Sequence, residues 1–456
     1  MGEQPAAQSL RAVDLLISGG YLATQDDQRR VIYPGSVAVA GSKIVAVGPS
    51  SAVDLGCAPR QRLDAHEHVV LPGLVNIHGH ASNSLIRGLG GDRSLHDWLH
   101  QVCWPCMAQA GDEDLYQGVL LSALEMLLNG VTAFADMWPG VPLSASAVAA
   151  TGQRAVLAHN IKDFGDARRG EAELQAALDA WRQCDGHADG RVVVGLGPHS
   201  VYTCRPELLA ACAAEAARHN LHLQIHGSET RQEVEECRAQ HGCSPIELMA
   251  ACGLLGARTI VAHAVHVNQT DLTLLLGSRT NVSHNIASNL KLASGIAPVD
   301  RYLQLGLCVG LGTDGPGSND SLNLLADLKL ATLLQKAISQ DATCLPAQTA
   351  LDMVTRHGAQ ALGLAEHLGS LEPGKQADLI LIDLDQPHFT PRHFDRPDNI
   401  LSHLVTCATG ADVDTVVVAG RVLVRHGQPV HLDCADIQAR AQASSRRLLQ
   451  AAGLLG

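Results

Sequence analysis

Short apolar runs recur along the middle of the chain, at 69–77, 131–137, 154–159, 192–198, 222–227, 259–265, 280–284 and 307–313. Between most of them lie alanine- and leucine-rich stretches of helical pattern, such as Pro206-Glu-Leu-Leu-Ala-Ala-Cys-Ala-Ala-Glu-Ala-Ala217. A strand-length run followed by a longer amphipathic stretch is the pattern of a βα unit, whose helix carries the chain back to a parallel neighbour. Eight such units in succession meet the requirement of a (β/α)8 barrel. A doubly wound open sheet is the alternative, but no glycine-rich phosphate turn follows the first run.

The two ends of the chain read differently. Residues 13–24 and 35–48 look like short strands broken by turns, and so do Ala377-Asp-Leu-Ile-Leu-Ile-Asp383 and Val416-Val-Val-Ala-Gly-Arg-Val-Leu-Val424. β-rich ends flanking a barrel predict a small discontinuous β-sandwich built from both termini. The expected division is 1–67 for its first part, 68–367 for the barrel, and 368–456 for its second part with a terminal helix over 435–453.

Composition narrows the partners. The formal net charge of -13 argues against nucleic acid, which would want a basic stripe. No apolar run approaches the ~20 residues that span a bilayer. Residues 1–10 lack the basic start and apolar core of a secretory signal. Thirteen cysteines, scattered without a framework, suit reduced thiols and a cytoplasmic setting. The pair Cys103-Trp-Pro-Cys106 has redox spacing but no thioredoxin-like unit around it, and is expected to be structural.

In a barrel, chemistry gathers where the strands end. The first run ends in His78-Gly-His80, the fifth in His226-Gly-Ser-Glu229, the sixth in His263 and the eighth in Gly312-Thr-Asp314. His78, His80, His226 and Asp314 form a candidate ligand set for one divalent ion, with a position left for water. Imidazoles with one carboxylate suit Zn2+, while Fe2+ or Mn2+ stays compatible with the same donors. Glu229 would pass a proton to the leaving group or a ring nitrogen, Asp314 would take the first proton from the attacking water, and His263 would orient the attacking oxygen. The implied reaction is hydrolytic attack by metal-bound hydroxide on an sp2 carbon.

Leu71-Pro-Gly-Leu-Val-Asn-Ile-His-Gly-His80, His226-Gly-Ser-Glu229, Ala262-His263 and Gly312-Thr-Asp-Gly315 together resemble the amidohydrolase superfamily in its mononuclear-metal branch. The likeness runs over essentially the whole chain, including Gly369-Ser-Leu-Glu-Pro-Gly-Lys-Gln-Ala-Asp-Leu379. The fourth run, Val192–Ser200, lacks the bridging lysine of binuclear members. Ser84-Leu-Ile-Arg-Gly88, Asp97-Trp-Leu99, Gly197-Pro-His-Ser200, Ser283–Leu292 and Gly315–Asn323 are most similar to S-adenosylhomocysteine/5′-methylthioadenosine deaminases. The resemblance implies a cyclic-amidine aminohydrolase of a small purine-like amine that releases ammonia. It also implies a homo-oligomer, with His199, Ser318 and the Trp104 segment at the substrate.

One departure stands out. Those deaminases usually carry a ribose-binding glutamate where Trp104-Pro-Cys-Met107 places Met107, and a thioether cannot accept a pair of hydroxyl hydrogen bonds. Asp92 or Asp97 could supply the missing carboxylate. The s-triazine amino- or chlorohydrolases, which share the metal pattern and a run like Ser318-Asn-Asp-Ser321, are the alternative, together with guanine- or pterin-type aminohydrolases.

Overall fold

The computed structural model describes residues 10–455. Apart from Leu10, the stretch expected to lack a secretory signal lies outside the described residues. Eight parallel strands follow one another in chain order: β1 Leu74–Asn76, β2 Val131–Met137, β3 Arg154–Ile161, β4 Val192–Pro198, β5 Leu223–Gly227, β6 Thr259–His263, β7 Asn281–His284 and β8 Val309–Leu311. The ring is completed where Ile77 donates its N–H to the Leu311 carbonyl at 3.0 Å and Asp314 donates to the His78 carbonyl at 3.0 Å. Every expected run supplies a barrel strand, and the doubly wound alternative falls away.

The first run differs in detail. Residues 69–77, expected as one strand, are two: His68–Pro72 pairs antiparallel with Leu379–Asp383 in the terminal sheet, and only Leu74–Asn76 enters the barrel. The chain changes sheets at Gly73, where a Cβ would stand 2.0 Å from the Thr132 hydroxyl oxygen, so only glycine lets the two sheets approach.

Both termini contribute to a nine-stranded mixed sheet, with Arg11–Ala23 paired to Val31–Ala40 on one side and to Cys57–Asp64 and His68–Pro72 on the other. Strands from its two ends close on shared apolar side chains, among them Leu15, Ile17, Val37, Val70, Leu379 and Val417. Within the barrel the pleat separates faces. Ala133 and Ala135 of β2 pack with Val75, Ile77, Val156 and Ile260, while Phe134 joins Leu127 and Val148 in the core beneath the helices.

Two further elements bear on the site. Residues 95–107 form α-helix Leu95–Trp98, a π turn over Leu99–Cys103 and α-helix Trp104–Met107. The wide turn lies just before Pro105, which has no N–H to give an ordinary helical bond. The terminal helix, Cys434–Ala451, braces the loop behind His80: Ser445 donates to the Leu85 carbonyl at 2.6 Å, and Arg447 pairs with buried Asp114.

All thirteen cysteines are unpaired. Cys103 and Cys106 are buried, and burial pushes the Cys103 thiol up to about 12, which removes the thiolate a redox dithiol would need. Among the described residues no helix is long and apolar enough to cross a membrane.

Candidate metal centre and substrate chamber

His78, His80 and His226 converge at the C-terminal mouth of the barrel, each within 4.8 Å of the others through one ring nitrogen. Their orientation follows from backbone bonds. His80 Nδ1 lies 2.8 Å from the Met137 carbonyl, and His226 Nδ1 lies 2.7 Å from the His199 carbonyl. A carbonyl can only accept, so each Nδ1 carries the proton and each Nε2 presents a lone pair. Those two lone-pair nitrogens face each other at 3.1 Å, a repulsive arrangement unless a cation is shared between them. His78 is fully buried, and neither of its ring nitrogens has a hydrogen-bond partner. A buried, unsatisfied imidazole beside two outward-facing lone pairs fits a divalent ion.

The Asp314 carboxylate lies beside these rings, its Oδ1 3.3 Å from His80 Nε2 and 3.6 Å from His78 Nε2. Ser288 and Ser318 donate to its Oδ2 at 2.6 and 3.0 Å, and the Gly315 N–H donates to its Oδ1 at 2.7 Å. Burial drives the pKa values of all three histidines down. Burial opposes ionisation of Asp314, but the imidazoles of His80, His263 and His78 outweigh it and hold its carboxyl far below the usual range. His78, His80 and His226 form a group that could hold a divalent metal ion, with the Asp314 carboxylate beside it.

Glu229 and His263 face each other beside this set, Oε2 to Nε2 at 3.6 Å. Register brings them together, since Gly227 of β5 stands opposite His263 of β6. Ser294 donates to Glu229 Oε1 at 3.1 Å, and His263 Nδ1 meets Asn289 Oδ1 at 2.8 Å. Burial raises the Glu229 pKa and His263 only partly offsets it. For His263 burial pulls the other way, but the Glu229 and Asp314 carboxylates overcome it and its pKa is raised. The backbone is strained at the same place: Ser228, His263 and Asp314 take φ values of 52°, 74° and 62°.

Above these groups lies a chamber walled by Leu95, Trp98, Leu99, Trp104, Trp138 and Leu292. His199 and Ser318 line it too, and the His199 imidazole packs against His226 with ring centroids 4.7 Å apart. A wider vestibule opens outward past Trp104 and Tyr202, with Asp92 on its wall.

Met107 is the exception among the expected substrate residues. It ends the helix that carries Trp104, but packs with the apolar cluster of Trp98, Cys103 and Cys106 and is not a wall residue of either space. Of the two substitutes for its missing carboxylate, Asp92 reaches the vestibule, whereas Asp97 is tied to Ser94 and Gln101.

Several side chains at the site were not singled out from the sequence. Asn160 and Lys162 line the chamber from the end of β3, beyond the run expected to stop at 159. Glu233 accepts the backbone N–H groups of Ser228 and Glu229 at 3.1 and 2.7 Å, tying down the turn that carries Glu229. The signal available for it was its place in the first turn of a helix immediately after a strand-end carboxylate.

The sequence profile of the amidohydrolase family matches residues 69–423. A 5-methylthioadenosine/S-adenosylhomocysteine deaminase of Pelotomaculum thermopropionicum is 40% identical over 436 residues, covering 96% of this chain and 99% of that protein. An adenosine deaminase of Xanthomonas campestris, solved with bound zinc, superposes with a TM-score of 0.92 at 30% identity, covering 97% of this chain and 100% of that one. An atrazine chlorohydrolase of Arthrobacter aurescens, solved with zinc, gives a TM-score of 0.84 at 28% identity over 94% of this chain and 100% of that one.

Proposed function

The chain belongs to the amidohydrolase family, and we propose that within it the protein is a metal-dependent hydrolytic deaminase of a purine-like N-heterocyclic amine. It is a hydrolase of C–N bonds in cyclic amidines. The observation that carries the proposal is the facing pair Glu229–His263 set beside the His78, His80, His226 and Asp314 donors at the base of one apolar chamber.

His78, His80, His226 and Asp314 would hold the ion. Zn2+ is the preferred candidate, because neutral imidazoles with one carboxylate suit it and a similar structure was solved with zinc. When bound, a divalent ion makes an adjacent water nucleophilic near neutral pH. Asp314 takes the proton that the attacking water gives up, with its Oδ2 steadied by Ser288 and Ser318. Glu229, whose pKa burial raises, delivers a proton to a ring nitrogen, and the proton taken up by Asp314 passes to the amine, which leaves as ammonia. His263 orients the attacking oxygen, while Trp98, Trp104 and Leu292 exclude bulk water and stack against the ring. His199 and Ser318 contact the heterocycle from the chamber wall.

The test is an ammonia-release screen across adenosyl thioethers, adenosine, guanines, pterins and aminotriazines. Turnover of an adenosine-type amine supports the proposal. A second possibility, an s-triazine amino- or chlorohydrolase, is favoured by the lack of a carboxylate at 107; chloride release from a chlorotriazine without ammonia from any purine would select it. Unpaired cysteines support a reducing compartment, which we take to be the cytoplasm, and we include a homo-oligomeric state that sedimentation would check.

A further inference from the structure

Glu233 does not bond as its place in the helix would lead one to expect. It is the third residue of the helix Arg231–His241, whose N-cap Thr230 accepts the Glu233 N–H at 3.1 Å. In a capping box the carboxylate at that position turns back to the N–H of the N-cap itself. Two other helices of this chain do so: Glu247 accepts from Ser244 at 2.7 Å, and Asp271 accepts from Asn268 at 2.8 Å. Glu233 instead reaches past Thr230, its Oε1 taking the Ser228 N–H at 3.1 Å and its Oε2 the Glu229 N–H at 2.7 Å. The residue is buried, burial raises its pKa, and among the described residues no lysine or arginine pairs with it. A buried carboxylate without a cation is costly, and here two peptide N–H groups offset that cost.

Those two N–H groups belong to the turn that carries the proton donor. Ser228 holds φ at 52°, a left-handed conformation that serine keeps only under constraint, and its own hydroxyl has no partner. The Ser228 carbonyl is held from the other side by the N–H groups of Val265 and His266 at 3.0 and 2.8 Å, just beyond His263. A carboxylate offers two acceptor oxygens on one plane, whereas a carboxamide offers one and turns a donor towards the second N–H. The histidine cluster has separate supports, since the His226 N–H and Nδ1 both meet the His199 carbonyl, at 3.0 and 2.7 Å. Glu233 walls the vestibule and not the chamber. We propose that Glu233 is the positioning residue for the proton donor: it fixes the Glu229 peptide, and so the reach of the Glu229 carboxyl, while other groups hold the histidines and the ring. The assignment rests on the deaminase proposal, in which Glu229 is the donor.

Steady-state ammonia release and residue-resolved amide hydrogen exchange on the metal-loaded protein test it, with Glu233→Gln set against Glu247→Gln. Both substitutions make the same chemical change at the third residue of a helix, but only the first loosens the donor's turn. Glu233→Gln is expected to lower kcat by about 10- to 10^2-fold, the scale on which a misplaced reacting group costs rate. KM and metal content stay within about twofold of wild type, and the Ser228 and Glu229 amides exchange at least about tenfold faster. Glu247→Gln leaves kcat within about twofold. If Glu233→Gln does not accumulate folded, the same comparison runs on Glu233→Asp, whose shorter stem draws the carboxylate off at least one N–H. Unchanged kcat, unchanged exchange at Ser228 and Glu229, a loss confined to KM, or a loss that follows the metal would each overturn the assignment. The deaminase proposal fails separately. If no amine in the screen releases ammonia while Glu233→Gln still frees the two amides, the chemistry is wrong and the anchoring stands; ammonia release with kcat untouched by Glu233→Gln means the reverse.

Discussion

The base and the roof of the chamber are built from different kinds of backbone. At the base, His226 and His263 lie within hydrogen-bonded strands, and His78 and Asp314 lie just past strand ends whose own peptide groups close the barrel. At the roof, Leu95, Trp98, Leu99 and Trp104 hang from a short helix interrupted by a π turn. The base is over-determined: moving one imidazole means moving a strand, a carbonyl partner and two neighbouring rings. The roof is held by side-chain packing outside the barrel's strand ladder. Such a division lets the reaction stay fixed while the accepted ring varies, and substitutions in the two regions should separate kcat from KM.

The largest effects belong to the base. Asp314→Asn is expected to lower both metal content and kcat, the latter by at least about 10^2-fold, because one change removes a ligand and a proton acceptor. Glu229→Gln keeps the metal but loses about 10^2- to 10^4-fold in kcat, since a carboxamide cannot deliver a proton. Metal analysis beside steady-state ammonia release distinguishes the two. The pH dependence follows from the same carboxyl. Burial raises the Glu229 pKa, so its proton is present below that value and lost above it. The kcat/KM profile should therefore fall on the alkaline side, and the limb should vanish in Glu229→Gln; an unchanged limb in that variant would assign it to another group.

Smaller effects belong to the roof. Trp104→Ala is expected to raise KM about tenfold, the scale of one lost aromatic contact on a stacked ring, with kcat changed far less. Met107→Ala, one turn further along the same helix, should alter kcat/KM for any heterocycle by less than about twofold, because it packs outside the chamber wall. A large change in substrate choice from Met107 alone would show that the helix turns towards the ring when substrate binds.

The same division governed what could be read from the amino-acid sequence. The barrel and its strand-end residues were legible because period-two apolar runs and the residues terminating them are local features, and the structure brings His78, His80 and His226 together with Asp314 beside them. Residues 69–77 misled as a single strand because an apolar run does not record which sheet each half joins; the close approach at Gly73 is set by Thr132, far away in sequence. Met107 was placed at the substrate by analogy of position, whereas its direction is fixed by a π turn and by tertiary packing. Lys162 and Asn160 escaped notice because β3 runs two residues beyond its last strongly apolar stretch, and the missing partners of Asn160 exist only in three dimensions.

The central claim is that one divalent ion, held by the four strand-end donors, makes this chain a hydrolase. Elemental analysis of protein purified without chelator, repeated on His226→Ala and paired with ammonia release before and after chelation, tests it most directly. One transition-metal ion per chain is expected in the wild type and little in His226→Ala, with activity that disappears with the ion and returns with added Zn2+. Undiminished turnover from metal-free protein, or full metal content in His226→Ala, would contradict it.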